Sequence, residues 1–133
     1  MADVALRAVL PTQAANGATI ATIVGEVPAS FAQTTYQVQR VTLTSPTAVT
    51  GVATQNFTVN VRDMRAGAAQ STLATVTFAL NTNLAVEVPL VMLSNIATPL
   101  LVNAGDVIDV QLVQNGGTGL LVPAGIVASI ELA

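Results

Sequence analysis

Side chains that could carry out chemistry are few in this chain of 133 residues. Nucleophilic catalysis by serine needs a base that takes up the hydroxyl proton, and the sequence contains neither histidine nor lysine. We therefore interpret the serines as turn and surface hydroxyls: Ser30, Ser45, Ser71, Ser94 and Ser129. The sequence predicts a protein that is not an enzyme.

The acidic residues do not form a catalytic pair. Asp106 and Asp109 lie three positions apart, which on a strand points them to opposite faces, whereas glycoside hydrolysis needs two carboxyl groups facing one substrate. With Asn103 they could offer oxygen ligands to Ca²⁺, but the spacing matches no calcium loop. We interpret Asp106 as stabilising the turn after Gly105, and Asp109 as a solvated outward residue. No metal or cofactor is expected.

Two other groups of residues, a glycine cluster and a charged cluster, each have a functional and a structural interpretation. The glycines of residues 115–119 are followed by neither lysine nor a helical pattern, so a hairpin turn explains them better than a phosphate loop does. Arg62, Asp63 and Arg65 are either an interaction hot spot, because arginine is enriched at interfaces, or a solvated loop that holds a weak ion pair. We retain Arg62 and Arg65 as candidate interface residues.

The low charge content excludes several classes of protein. Only 8% of the residues are charged and the net charge is -3, against about 25% charged residues in a typical soluble domain. A phosphate backbone needs clustered Lys and Arg, so we expect no nucleic-acid partner. The most apolar candidate for a membrane span, residues 84–93, is interrupted by Glu87 and Pro89. Because no secretory signal is evident near Asp3 and Arg7, we expect the protein to remain in the cytoplasm where it is made until it is assembled.

Apolar and polar residues alternate with a period of two along much of the chain, most regularly in residues 84–132. Ile108, Val110 and Leu112 share one face of a strand, and Phe57 begins another clear alternation at residues 57–61. The spacing predicts seven to nine strands and no long helix. This pattern is typical of an all-β protein, a β-sandwich with a jelly-roll-like arrangement.

The pattern also predicts local features of individual strands. Tyr36 and Val38 share one phase and Val41 and Leu43 the other, so a bulge near Gln39 and Arg40 would keep all four inward. Residues 81–83 are short enough to join two strands, residues 74–80 and 84–88, as a hairpin. Residues 63–70 are expected to form a charged loop, and residues 120–122 a short strand.

The chain is expected to form one domain over residues 1–133, with the sandwich core in residues 35–133. Pro11 and Pro28 set apart an apolar segment, residues 1–27, which we interpret as an N-terminal arm or docking strands. Its first ten residues fit a strand or a short helix equally. Together with Arg62 and Arg65, six of its residues are candidate interface residues: Val4, Leu6, Arg7, Leu10, Ile20 and Ile23.

The predicted surface favours assembly with other protein. Outward strand positions are mostly Thr, Asn, Gln, Ser and Ala, and such short side chains lose little rotamer entropy when they are buried. The sequence contains no lysine, a residue that on edge strands commonly prevents pairing with another chain. We therefore expect a homo-oligomer, or docking on a larger body.

The whole chain, and most clearly the stretch LLVNAGDVIDVQLVQNGGTGLLVPAGIVASIEL of residues 100–132, resembles the small structural proteins of tailed-bacteriophage virions, especially head decoration (cement) proteins. The resemblance implies a protein, often a trimer in that family, that binds the outer surface of the capsid and stabilises contacts between copies of the major capsid protein. The resemblance is not specific enough to assign a binding role to any individual residue of this chain. Alternatives are a glycan-binding module of a fibre or spike, and a self-assembling shell or tail-tube subunit.

Overall fold

The protein is described by a computed structural model that covers residues 3–30, 33–94 and 100–133. Within these ranges the chain forms nine strands and no helix. The strands are β1 (Val4–Val9), β2 (Ile20–Glu26), β3 (Thr35–Thr44), β4 (Phe57–Arg65), β5 (Ala68–Thr77), β6 (Leu90–Ser94), β7 (Leu100–Asn103), β8 (Val107–Gln114) and β9 (Val127–Leu132). No helix in these ranges could cross a membrane.

Two antiparallel sheets face each other. The first has the order β1-β9-β3-β6, with β7 also paired to β3, and the second has the order β2-β8-β4-β5. Because β6 and β7 pair with successive parts of β3, they occupy one position in the first sheet. Counted as one strand, they complete two four-stranded sheets in the order of a jelly roll. The predicted all-β fold, a β-sandwich of jelly-roll type, is confirmed.

Inward-facing residues of both sheets form one hydrophobic core. Phe57, Val59 and Val61 of β4 are fully buried, as the period-two pattern predicts. The Phe57 ring packs against that of Phe78 with 4.7 Å between the ring centroids. Removing these apolar surfaces from water is the main stabilising contribution to the fold.

The bulge predicted in β3 is confirmed. The register of β3 against β9 shifts between Val38 and Arg40, which leaves Gln39 as the extra residue. All four apolar residues on either side are buried, at 2% exposure or less: Tyr36, Val38, Val41 and Leu43. One inserted residue moves the later half of the strand back into phase with the core.

Two predicted strand segments were wrong. Residues 81–83 do not close a hairpin, because the connection from β5 to β6 passes from the second sheet to the first, and Leu84 forms only an isolated bridge with Val49. Residues 120–122 contain only one bridge, between Val122 and Gln13. The backbone of Leu120 is bound instead by the side chain of Gln114, which donates to its carbonyl at 2.7 Å and accepts from its N–H at 2.9 Å.

Residues 63–70 do not form the predicted loop. β4 continues to Arg65 and β5 begins at Ala68, so only Ala66 and Gly67 turn the chain. Both have positive φ, 52° and 79°, as a two-residue hairpin turn of type I′ requires. The charges of this segment suggested a loop, but Arg65 is paired with Asp106 in the turn before β8 and Asp63 lies beside the same carboxylate.

The N-terminal segment is part of both sheets. β1 pairs with β9, where Val4 lies opposite Leu132, and β2 pairs with β8. From Val4 onward the proposed arm therefore belongs to the sandwich, and residues 4–9 are strand rather than helix; residues 1 and 2 lie outside the described ranges. Leu10 is only 1% exposed, so its side chain lies in the core of the chain, where it continues the inward phase of Val4 and Leu6.

Candidate functional site

Arg62 and Asp109 form a two-pronged ion pair across the second sheet. They lie directly opposite each other on β4 and β8, and the guanidinium donates from Nε to Oδ1 at 2.9 Å and from Nη2 to Oδ2 at 2.7 Å. Asp109 is only 6% exposed, so the prediction of a solvated carboxylate was wrong. Such fork-like pairing is among the stronger hydrogen-bonded arrangements in proteins.

A second ion pair of the same geometry joins Arg65 to Asp106. The distances are 2.8 Å from Nε to Oδ1 and 3.0 Å from Nη2 to Oδ2. Asp106 Oδ2 also accepts the backbone N–H of Asn103 at 3.1 Å, which confirms its predicted role in the turn. The hydrogen bond from Arg65, more than the one from Asn103, lowers the pKa of Asp106 to about 2.

Asp63 completes the cluster from the inner side of β4. It is 3% exposed, and its Oδ1 has no hydrogen-bond partner. Burial, and then the hydrogen bond and negative charge of Asp106, raise the pKa of Asp63 to about 6. In the described part of the chain no group of three metal-ligating side chains is present. The cluster therefore joins β4 to β8 and the turn before β8, and its arginines are engaged within the chain.

A shallow depression of about 270 Å³ lies beside this cluster on the outer face of the second sheet. Ile23, 71% exposed, lies opposite Asp109 across the β2–β8 ladder. The depression is lined by Ile23, Met64, Ala66, Gly67, Val107 and Asp109. Two candidate interface residues, Ile23 and Arg62, therefore both lie next to Asp109. Ile23 is exposed, whereas the side chain of Arg62 is bound to Asp109 within the chain.

The opposite end of the sandwich is almost free of charge. Four connections meet there, residues 10–19, 45–56, 78–89 and 115–126, and Glu87 is their only charged residue. We call these connections, together with the adjoining Val9, the neutral end. Of the eight exposed large hydrophobic residues in the described ranges, it contains five: Val9, Leu80, Val86, Val88 and Leu121.

Backbone and amide hydrogen bonds hold the neutral end together. The Asn115 N–H donates to the Asn56 carbonyl at 2.7 Å, and Val49 and Leu84 exchange two backbone bonds of 2.9 Å. Gln13, 3% exposed, donates to the carbonyl of Leu112 at 3.0 Å. Hydrogen bonds from uncharged backbone and side-chain amides therefore satisfy backbone carbonyl groups of the neutral end, and no charged side chain is needed for this.

No family model, curated protein or solved structure matches the chain. A surface that combines exposed apolar side chains, almost no charge and internally bonded loops loses little solvation free energy when another protein covers it. The neutral end is therefore the strongest candidate binding surface.

The remaining predicted interface residues lie at the edge formed by β1 and β2. Arg7 is exposed on the outer face, and its Nε donates to Ser129 Oγ at 3.4 Å. Val4, Leu6 and Ile20 are half-buried and pack against the core. The predicted interface residues therefore do not form one surface patch. One lies in the core, some lie at the edge formed by β1 and β2, and the others lie in or beside the ion-pair cluster.

Sequence reasoning missed the neutral end. Its signal was present, since the four connections are nearly free of charge in the sequence. Only the jelly-roll topology shows that they share one end of the molecule, because they are separated along the chain by strands of both sheets.

Proposed function

We propose that this protein is a non-enzymatic structural subunit that binds other protein through its neutral end, as a decoration protein on the outside of a bacteriophage head. The observation that carries the proposal is the concentration of exposed hydrophobic residues at the neutral end: four lie on connections that hold a single charge, and the fifth, Val9, adjoins them. Exposed apolar surface that is concentrated on one part of a protein marks protein-binding sites.

The rigidity of the neutral end supports binding. The Gln55 Oε1 accepts the Thr118 N–H at 2.6 Å and the Thr118 hydroxyl at 3.0 Å, so two of the four connections are fastened to each other by one side chain. A loop that is already ordered loses less conformational entropy on association. The surface is suited to a partner that is itself a folded protein, such as the major capsid protein.

The outer face of the second sheet also suits a crowded particle surface. Its polar side chains bond to each other across strands: Thr58 to Thr77 at 2.7 Å, Asn60 to Gln111 at 3.2 Å and Thr75 to Asn60 at 2.7 Å. Side chains that bond mutually expose fewer unsatisfied groups, so a neighbour can cover them at low cost.

Among the alternatives, glycan binding has the least support. Stacking of a sugar requires an exposed aromatic ring, but Tyr36, Phe57 and Phe78 are all buried. The described surface therefore offers no aromatic platform. The choice of a phage head rather than another assembly rests on the sequence resemblance.

The proposal predicts that charge at the neutral end abolishes docking. Leu121→Glu and Val88→Glu, at residues 55% exposed, should each weaken binding to phage heads that lack this protein by at least tenfold, because a carboxylate would be buried without a partner. Cosedimentation with such heads measures the effect. Leu101→Glu, at a residue 60% exposed on β7 away from the neutral end, is the matched control and should bind normally.

Cryo-EM and the copy number per purified particle test the location. A decoration protein should cover the capsid in proportion to its lattice, with the neutral end facing the capsid. Density only at a fibre tip, equal binding by all three variants, or assembly of the isolated chain into tubes or closed shells would each refute the proposal.

A further inference from the structure

The edge strands of the sandwich differ in how well they could accept another strand. β2, β5 and β6 each carry extra residues relative to their neighbours, at Val24 in β2, at Gln70 and Leu73 in β5, and at Met92 in β6. Bulges twist an edge away from pairing. β7 is regular but only four residues long. Among the described edge strands longer than four residues, only β1 runs without a bulge.

The free side of β1 presents unpaired backbone groups. The Leu10 N–H points toward β9, since it donates to the Ile126 carbonyl at 2.7 Å. Because the direction alternates along a strand, the N–H and C=O groups of Ala5, Arg7 and Val9 point away from β9 to the open edge. In the described ranges no backbone hydrogen bond reaches them from that side. Val4 and Leu6 face inward at this edge but are only half-buried.

We propose that β1 pairs with β1 of a second copy of this chain, antiparallel across a two-fold axis at Leu6, so that the first sheets of two copies become continuous. A regular ladder needs a straight strand on both sides, and β1 is the longest such edge that the described chain offers. A two-fold interface uses the same surface on both copies. The inference is independent of the proposed function and replaces the expected three-fold association with a two-fold one.

The side chains favour the Leu6-centred register over one centred on Arg7. With Leu6 opposite Leu6 of the second copy, inner faces meet inner faces, and Arg7 lies opposite the small, exposed Ala5. Centring the pair on Arg7 would instead place two arginines directly opposite each other, which is unfavourable. The Leu6-centred pair also covers the half-buried Val4 and Leu6 of both copies.

Charge substitutions at Ala5 test this register. Ala5→Glu places a carboxylate opposite Arg7 of the second copy at two symmetric positions and should tighten the dimer about fivefold, whereas Ala5→Lys should weaken it about fivefold. Net charge and the position of Ala5 opposite Glu131 of its own chain both predict the opposite order, since lysine reduces and glutamate increases the repulsion between negative charges. Sedimentation equilibrium of the full chain over a range of concentrations measures both dissociation constants.

Three further variants complete the experiment. Ala5→Lys combined with Arg7→Glu exchanges the charges and should restore the affinity of the Ala5→Glu dimer. Ala21→Lys and Ala21→Glu, at an exposed position on the bulged strand β2, should leave dimerisation unchanged. A monomer at all concentrations, a trimer, or a dimer that is indifferent to the charge at Ala5 would overturn the inference.

Discussion

Arg62→Ala is expected to lower the free energy of unfolding by about 3 kcal/mol at pH 7. The substitution leaves Asp109, 6% exposed, without either of its two hydrogen bonds from the guanidinium. A carboxylate that remains buried after its partner is removed costs more than the pair contributed. Urea denaturation of the purified variant measures the loss.

Two further variants distinguish the effect of losing the ion pair from the effect of losing the aliphatic part of an arginine side chain. Arg7→Ala removes an exposed arginine whose hydrogen bond to Ser129 is long, at 3.4 Å, and should change stability little. Arg62→Ala combined with Asp109→Asn should regain part of the loss, because the buried charge is gone. If Arg62→Ala proved no more harmful than Arg7→Ala, Asp109 would not depend on Arg62 for its burial.

Asp63→Asn is expected to stabilise the protein at pH 8 by about 2 kcal/mol. Burial, and then the neighbouring Asp106, raise the pKa of Asp63 to about 6 from an ordinary value of 3.8. Ionised Asp63 is buried with one oxygen unpartnered, whereas asparagine is neutral and its amide can donate to Asp106, as the protonated acid does.

The sign of the pH dependence follows from the direction of each shift. The folded state binds the Asp63 proton more tightly than the unfolded chain, so this stabilisation is complete below about pH 3.8 and is lost as the pH rises through about 6. Asp106, whose pKa is lowered to about 2 chiefly by Arg65, contributes stability above about pH 3.8 that is lost as the pH falls toward 2. Together these two groups place maximal stability near pH 4.

Unfolding measured at pH 4.5 and pH 8 tests this account. The wild type should lose stability between the two values and Asp63→Asn should not. Glu87→Gln, at an exposed acid on the neutral end, should retain the wild-type pH dependence. A destabilised Asp63→Asn protein at pH 8 would show that the ionised carboxylate, rather than the neutral group, is the form that the fold requires.

Periodicity predicted the strands and the core because burial alternates with the pleat. It also located the β3 bulge, since four apolar residues on opposite phases can all be buried only if one residue is inserted. Periodicity does not show which sheet a strand joins. The hairpin expected at residues 81–83 failed for this reason, because a short connection between two strands can equally cross the sandwich.

The ion-pair cluster had a signal in the sequence that single-strand reasoning could not use. Arg62 and Arg65 are three residues apart, as are Asp106 and Asp109, so one antiparallel register places both arginines beside both acids. Considered singly, each strand showed charges that suggested a loop or solvent. Only pairing β4 with β8 makes them partners, and only the inward position of Asp63 reveals its burial.

The pairing of β1 with β9 has a consequence for synthesis. Val4 lies opposite Leu132 in the first sheet, so β9 reaches its place between β1 and β3 only after residues 1–132 have been synthesised and have left the ribosome. Until then the inner surfaces of β1 and β3 remain uncovered on a polypeptide with little charge to keep copies apart. Ladders between residues so distant in the chain form slowly, so we expect the chain to be prone to association with other copies of itself until β9 has paired.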